Sequence, residues 1–100
     1  MRRVDPTLRW KVVWALQEMC KAKDFESGLF IGGVAEVRRQ LFKMYTTTIE
    51  VPCERIVRNE LKLRHQQQEN PKITTHPFNG NYCIRVWDIE DVPKREQVEV

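Results

Sequence analysis

Residues 51–68 read VPCERIVRNELKLRHQQQ, and the fold turns on how this stretch is read. Pro52 pushes Val51 out of the helical region and suits the first turn of a helix. Glu54 then sits where the positive end of the helix dipole favours an acid. The spacing predicts a helix over about 52–67 with two faces. Ile56, Val57, Leu61 and Leu63 can point inward. Arg55, Arg58, Asn59, Lys62 and Gln66 fall at i, i+3, i+4, i+7 and i+11, one stripe of a 3.6-residue helix. Three cations and two amides on one stripe make a donor set that matches phosphates and base edges. Glu54 and Glu60 are expected to dilute its field.

Upstream, two further helices are predicted. Asp5-Pro6 is a helix start, because Asp caps free N–H groups and Pro fits the first helical position. Leu8, Val12, Ala15 and Met19 then recur at helical spacing, so a helix is expected from Pro6 to Lys23. Trp10 and Trp14, four apart, add an apolar flank that either closes the core or offers a contact surface. Leu29-Phe30-Ile31, bounded by Gly28 and Gly32-Gly33, is too short for a helix and reads as a strand that adds an edge to a later hairpin. Val34, Val37, Leu41 and Tyr45 give the second helix its inward stripe, leaving Arg38, Arg39 and Lys43 on other faces. Thr46-Thr47-Thr48-Ile49-Glu50-Val51 is expected to be an extended connection.

Downstream, residues 72–89 predict a β-hairpin. Lys72 to His76 and Asn81 to Trp87 form its strands, joined through Pro77-Phe78-Asn79-Gly80, where Asn-Gly is a strong hairpin signal. Asp88 to Val100 holds five acids and two bases and is expected to be unpacked after Ile89.

One hundred residues with 41% hydrophobic side chains are enough for one domain with one core. The net charge of +3 is unevenly spread. Residues 1–67 carry 13 basic against 8 acidic residues, whereas residues 68–100 carry 4 against 6. Three widely spaced cysteines, Cys20, Cys53 and Cys83, do not suit a disulfide framework, which points to a reducing cytoplasmic or nuclear compartment. No apolar run reaches the roughly 20 residues of a membrane span, and no apolar segment follows Met1-Arg2-Arg3 as a secretory signal would require.

The order helix, short strand, helix, helix, hairpin over about residues 6–89 resembles the winged helix-turn-helix superfamily. The resemblance rests on element order, lengths and the Asn79-Gly80 turn, without a diagnostic motif. It implies an α+β fold: a three-helix winged helix-turn-helix with a C-terminal β-hairpin wing. Residues 1–89 would form the single domain and 90–100 an acidic, flexible tail. It further implies a small non-catalytic, regulatory DNA-binding protein. Helix 52–67 would enter the major groove and hairpin 72–87 would act as the wing, with its tip at His76 to Asn81. Two departures stand out: the Thr46–Val51 connection is longer than the usual tight turn, and the wing tip has no Lys or Arg.

On this reading Arg55, Arg58, Asn59, Lys62 and Gln66 share base and phosphate contacts. Arg38, Arg39 and Lys43 would hold flanking phosphates, and Arg85 would add a cation near the wing. The partner is double-stranded DNA, bound by a homodimer whose contact comes from the Trp10/Trp14 face or the tail. The alternative is a protein-interaction module or inhibitor that docks through surface aromatics. Catalysis and cofactors are not expected. Gly32-Gly33 lacks the spacing of a phosphate loop, and Cys20, Cys53, Cys83, His65 and His76 make no metal-ligand pair. Cys53, near a helix start and beside Arg55, could be a reactive thiol, but a small buried residue is the simpler reading. His65 is expected to be solvated.

Overall fold

The structure is a computed structural model that describes residues 5–22, 28–67 and 82–99. The fold is α+β. Its elements in chain order are α1 (Pro6–Ala22), β1 (Leu29–Gly32), α2 (Val34–Met44), α3 (Glu54–Gln67), β2 (Tyr82–Arg85), a 3-10 turn (Val86–Asp88) and α4 (Arg95–Val98).

α1 starts as expected. The Thr7 N–H donates to Asp5 Oδ1 at 2.9 Å and the Leu8 N–H to the Asp5 carbonyl at 3.0 Å, so the first free donors are satisfied. Its middle is covered on more than one side: Val12, Val13, Trp14, Ala15 and Leu16 are all buried. Five consecutive buried residues are more than one helical stripe can hold. The explanation is that α1 packs against α2, α3 and β1 and also against the 3-10 turn. The core gathers around it from Leu16, Val37, Leu41, Val57, Leu61 and Ile84. Each such side chain contributes about 1.5–3 kcal/mol on burial.

β1 and β2 are antiparallel, in the register Leu29↔Arg85, Phe30↔Ile84, Ile31↔Cys83 and Gly32↔Tyr82. The edge strand expected at 29–31 therefore pairs with the last strand of the predicted hairpin. The rest of that hairpin, including the wing tip, lies outside the described residues. The second strand was expected to run to Trp87, but it ends at Arg85. The Val86 N–H donates to the Gly28 carbonyl at 2.8 Å. From Val86 the backbone turns on itself as the 3-10 turn. Gly28 has φ +63°, and a Cβ there would lie 1.9 Å from Cδ1 of Trp87. This position has to be glycine, both for its backbone and for the indole packed on it.

α2 ends with the Tyr45 N–H donating to the Leu41 carbonyl at 2.9 Å. The following connection is not fully extended as expected. It contains a turn closed by the Glu50 N–H on the Thr47 carbonyl at 3.2 Å. Lys11 Nζ fixes the turn to α1 by donating to the Glu50 carbonyl at 2.9 Å. α3 then begins two residues later than predicted. Cys53 is the residue before the helix, its carbonyl accepting from Val57 N–H at 3.1 Å, and Pro52 is buried ahead of it.

The tail was expected to be unpacked. Instead it lies against all three long helices. Trp14 Nε1 donates to the Pro93 carbonyl at 2.8 Å, Arg64 Nη1 to Asp91 Oδ1 at 2.6 Å, and the Tyr45 hydroxyl to Glu99 Oε1 at 2.7 Å. Acid count alone suggested a solvated segment, but these acids and this carbonyl each have a donor on a helix.

Candidate nucleic-acid interface

α3 buries Val57, Glu60, Leu61 and Arg64, which fall at i, i+3, i+4 and i+7. Turned away from that stripe, Arg55, Arg58, Asn59, Lys62 and Gln66 are all exposed. The two faces are thus split almost as the sequence predicts, with three differences. Leu63 is on the exposed side, at 36% exposure. Ile56 is half-buried. The third difference matters most electrostatically: Glu60 belongs to the interior.

Glu60 is 2% exposed and Arg64 5%. Arg9 of α1 donates to the Glu60 carboxylate through Nε at 2.7 Å and Nη2 at 3.3 Å, and Arg64 Nε donates to it at 3.0 Å. Arg64 then reaches Asp91. The chain Arg9–Glu60–Arg64–Asp91 ties α1, α3 and the tail together. Hydrogen bonding to Glu60 raises the Arg9 pKa above its usual range, against the lowering by burial. At Arg64 burial lowers the pKa, but Asp91 and Glu60 outweigh it and the net shift is upward. Asp91 is held below the usual carboxylate range, first by its bond from Arg64. Glu60 therefore does not dilute the outer field, contrary to expectation. Its spacing was the available signal: it is three residues after Val57 and four before Arg64.

Glu54 is the acid that α3 does expose. It pairs with Arg58 one turn on, both about half-exposed at 57% and 50%. An exposed pair of this kind is worth roughly 0.3–0.5 kcal/mol, so Arg58 is cheaply released.

Two grooves border the exposed face. One, of about 340 Å³, lies between α2 and the start of α3 and brings Arg38, Arg39 and Phe42 beside Glu54. The Arg38 guanidinium sits 5.3 Å from the Phe42 ring centre, and its Nε is buried without a hydrogen-bond partner. The other groove, of about 670 Å³, lies between the start of α1 and α3, with Pro6, Arg9, Arg55, Ile56, Asn59 and Leu63 on its walls. Lys43, also exposed, stands in the last turn of α2 and lines neither groove. Arg85 is exposed on β2.

His65 ties β2 to α3. In the β1–β2 ladder, Val86 bonds to Gly28, so the alternating pairs place the Cys83 N–H and carbonyl on the edge away from β1. There they meet His65 Nδ1, at 3.1 Å from the nitrogen and 3.2 Å from the oxygen. His65 also packs edge-on against Tyr82, with ring centres 6.0 Å apart. It is half-buried and engaged, where a solvated side chain was expected.

Of the two roles weighed for the Trp10/Trp14 flank, Trp14 takes the one in the core. Trp14 is 2% exposed, under the tail, while Trp10 is half-buried 6.4 Å away. Among the described residues Phe42 and Trp87 are the exposed rings, at 46% and 44%. Cys53 is exposed rather than buried, while Cys20 and Cys83 are buried. Among the described residues no three His, Cys, Asp or Glu side chains are placed to hold a metal ion, and no helix is long and apolar enough to cross a membrane. No protein-family model, curated protein or solved structure matches the chain.

Proposed function

We propose that the protein is a non-catalytic regulator that binds double-stranded DNA through the exposed face of α3, in the manner of a winged helix-turn-helix domain. The observation that carries this reading is the inward placement of Glu60. It leaves Arg55, Arg58, Asn59, Lys62 and Gln66 outside with one acid, Glu54. A major groove admits one helix, and Arg and Asn match guanine and adenine edges. Arg38 and Arg39 line the groove at the start of α3, and on this reading they hold the flanking phosphates. The antiparallel pairing of β1 with β2, the strand after α3, supports the winged-helix reading, since β2 packs against that helix.

A labelled duplex titrated with the protein at increasing salt tests this. The logarithm of the affinity should fall linearly with the logarithm of salt, by about 0.9 per phosphate neutralised. Replacing both Arg58 and Lys62 by Ala should abolish binding. No complex at low salt would reject the proposal.

The second reading is docking of a protein partner. It rests on the exposed rings of Phe42 and Trp87, since Trp14 is covered by Pro93. For the same reason a dimer contact across the Trp10/Trp14 face would have to displace the tail.

A further inference from the structure

We infer that Glu54 and Arg58 act as one reading unit that selects a C·G base pair, with Glu54 as a specificity-determining residue. This rests on the DNA-binding reading. Glu54 is the exposed acid of α3, in its first turn, and Arg58 is its ion-pair partner. A recognition helix contacts base edges with its N-terminal residues. Arg38 and Arg39 stand in the adjoining groove. On the DNA-binding reading they hold the flanking phosphates, and a carboxylate beside them gains nothing from the DNA backbone, which repels it. It is matched by a base that offers a donor.

In the major groove cytosine presents the N4 amino donor, next to the O6 and N7 acceptors of its guanine partner. Glu54 and Arg58 hold an acceptor and a donor side by side. The carboxylate takes the cytosine amino group while the guanidinium takes the guanine edge. An A·T pair also offers the carboxylate a donor, the adenine N6 amino group, but it leaves the guanidinium a single O4 acceptor beside the thymine methyl where guanine gives two acceptors, so it is bound less well. The acid thus lowers affinity for most sequences and raises discrimination.

The test is selection from a duplex pool with a randomised centre, using the wild type, Glu54→Ala and Glu54→Gln, each checked for folding by circular dichroism. The wild type should enrich one fixed C·G pair by roughly tenfold over the other pairs at that position. Both variants should lose that preference and bind the unselected pool more tightly. If the variants keep the wild-type preference, or the wild type binds the pool without enriching a C·G pair, the inference is overturned and DNA binding stands. If the wild type retains no duplex at low salt, the DNA reading fails and the inference falls with it.

Discussion

Arg64 donates to Asp91 across 2.6 Å, and that bond joins the buried face of α3 to the C-terminal tail. Asp91 is 67% exposed and Arg64 is nearly buried, so the two ends of the bond differ in what their removal costs. Asp91→Ala leaves Arg64 its bond to Glu60. Because the pair opens to solvent at the Asp91 end, the loss should be no more than about 1 kcal/mol, read as a lower urea midpoint with an unchanged slope.

Glu60 is the opposite case. It is buried between two guanidinium groups. Glu60→Ala takes from Arg64 its interior partner and leaves it only the exposed Asp91, and a broken buried pair costs about 3–5 kcal/mol. Replacing Glu60 and Arg64 together by Leu and Met should recover most of that loss. A double-mutant cycle by urea denaturation measures it. Additive single losses would show that the two side chains act independently.

These two residues also show what was legible in the chain. The split of α3 into a donor face and an apolar back followed from spacing alone, as did α1, α2 and the placing of a strand at Leu29. Glu60 and Arg64 were not assigned inward because periodicity is read from apolar residues. A charged residue on the inner stripe is visible only once its partner is known, and Arg9 is 51 positions away. The tail misled for a related reason. Its acids looked solvated, but the donors that hold Asp91 and Glu99 come from Arg64 on α3, Tyr45 at the end of α2 and Arg95 on α4. The same holds for Gly28, whose role depends on Trp87, far off in sequence but packed against it.

Tail docking should depend on pH from the acid side. At Glu99 burial raises the pKa, but the bonds from Arg95 and Tyr45 outweigh it and hold the carboxyl low. Asp91 is lowered as well. Groups with a lowered folded pKa stabilise above the unfolded value, about 4 for a carboxyl, and that contribution is lost as pH falls through the folded value. Acidification below about pH 4 should therefore release the tail, seen as a red shift of Trp14 emission. Asp91→Asn with Glu99→Gln should flatten the change. At the alkaline end burial, followed by the bond to Glu99, raises the Tyr45 pKa. Its contribution is present below the unfolded tyrosine value of about 10 and is lost as pH rises through the folded one. Tyr45→Phe should remove that alkaline limb and cost about 1 kcal/mol at neutral pH.

Gly28→Ala should be among the most damaging single changes on the sheet. Any Cβ meets the Trp87 ring at 1.9 Å, and the φ of +63° penalises an L side chain as well. The conformational part alone costs about 1–2 kcal/mol. The steric part is removable, because Trp87 is 44% exposed and can be cut back without opening the core. Gly28→Ala combined with Trp87→Ala should thus regain part of the loss in thermal denaturation, down to the backbone term. If the double variant is as unstable as the sum of the two singles, the indole is not what excludes a side chain at position 28. The closure of the β1–β2 ladder at Val86 would then have to account for the whole cost.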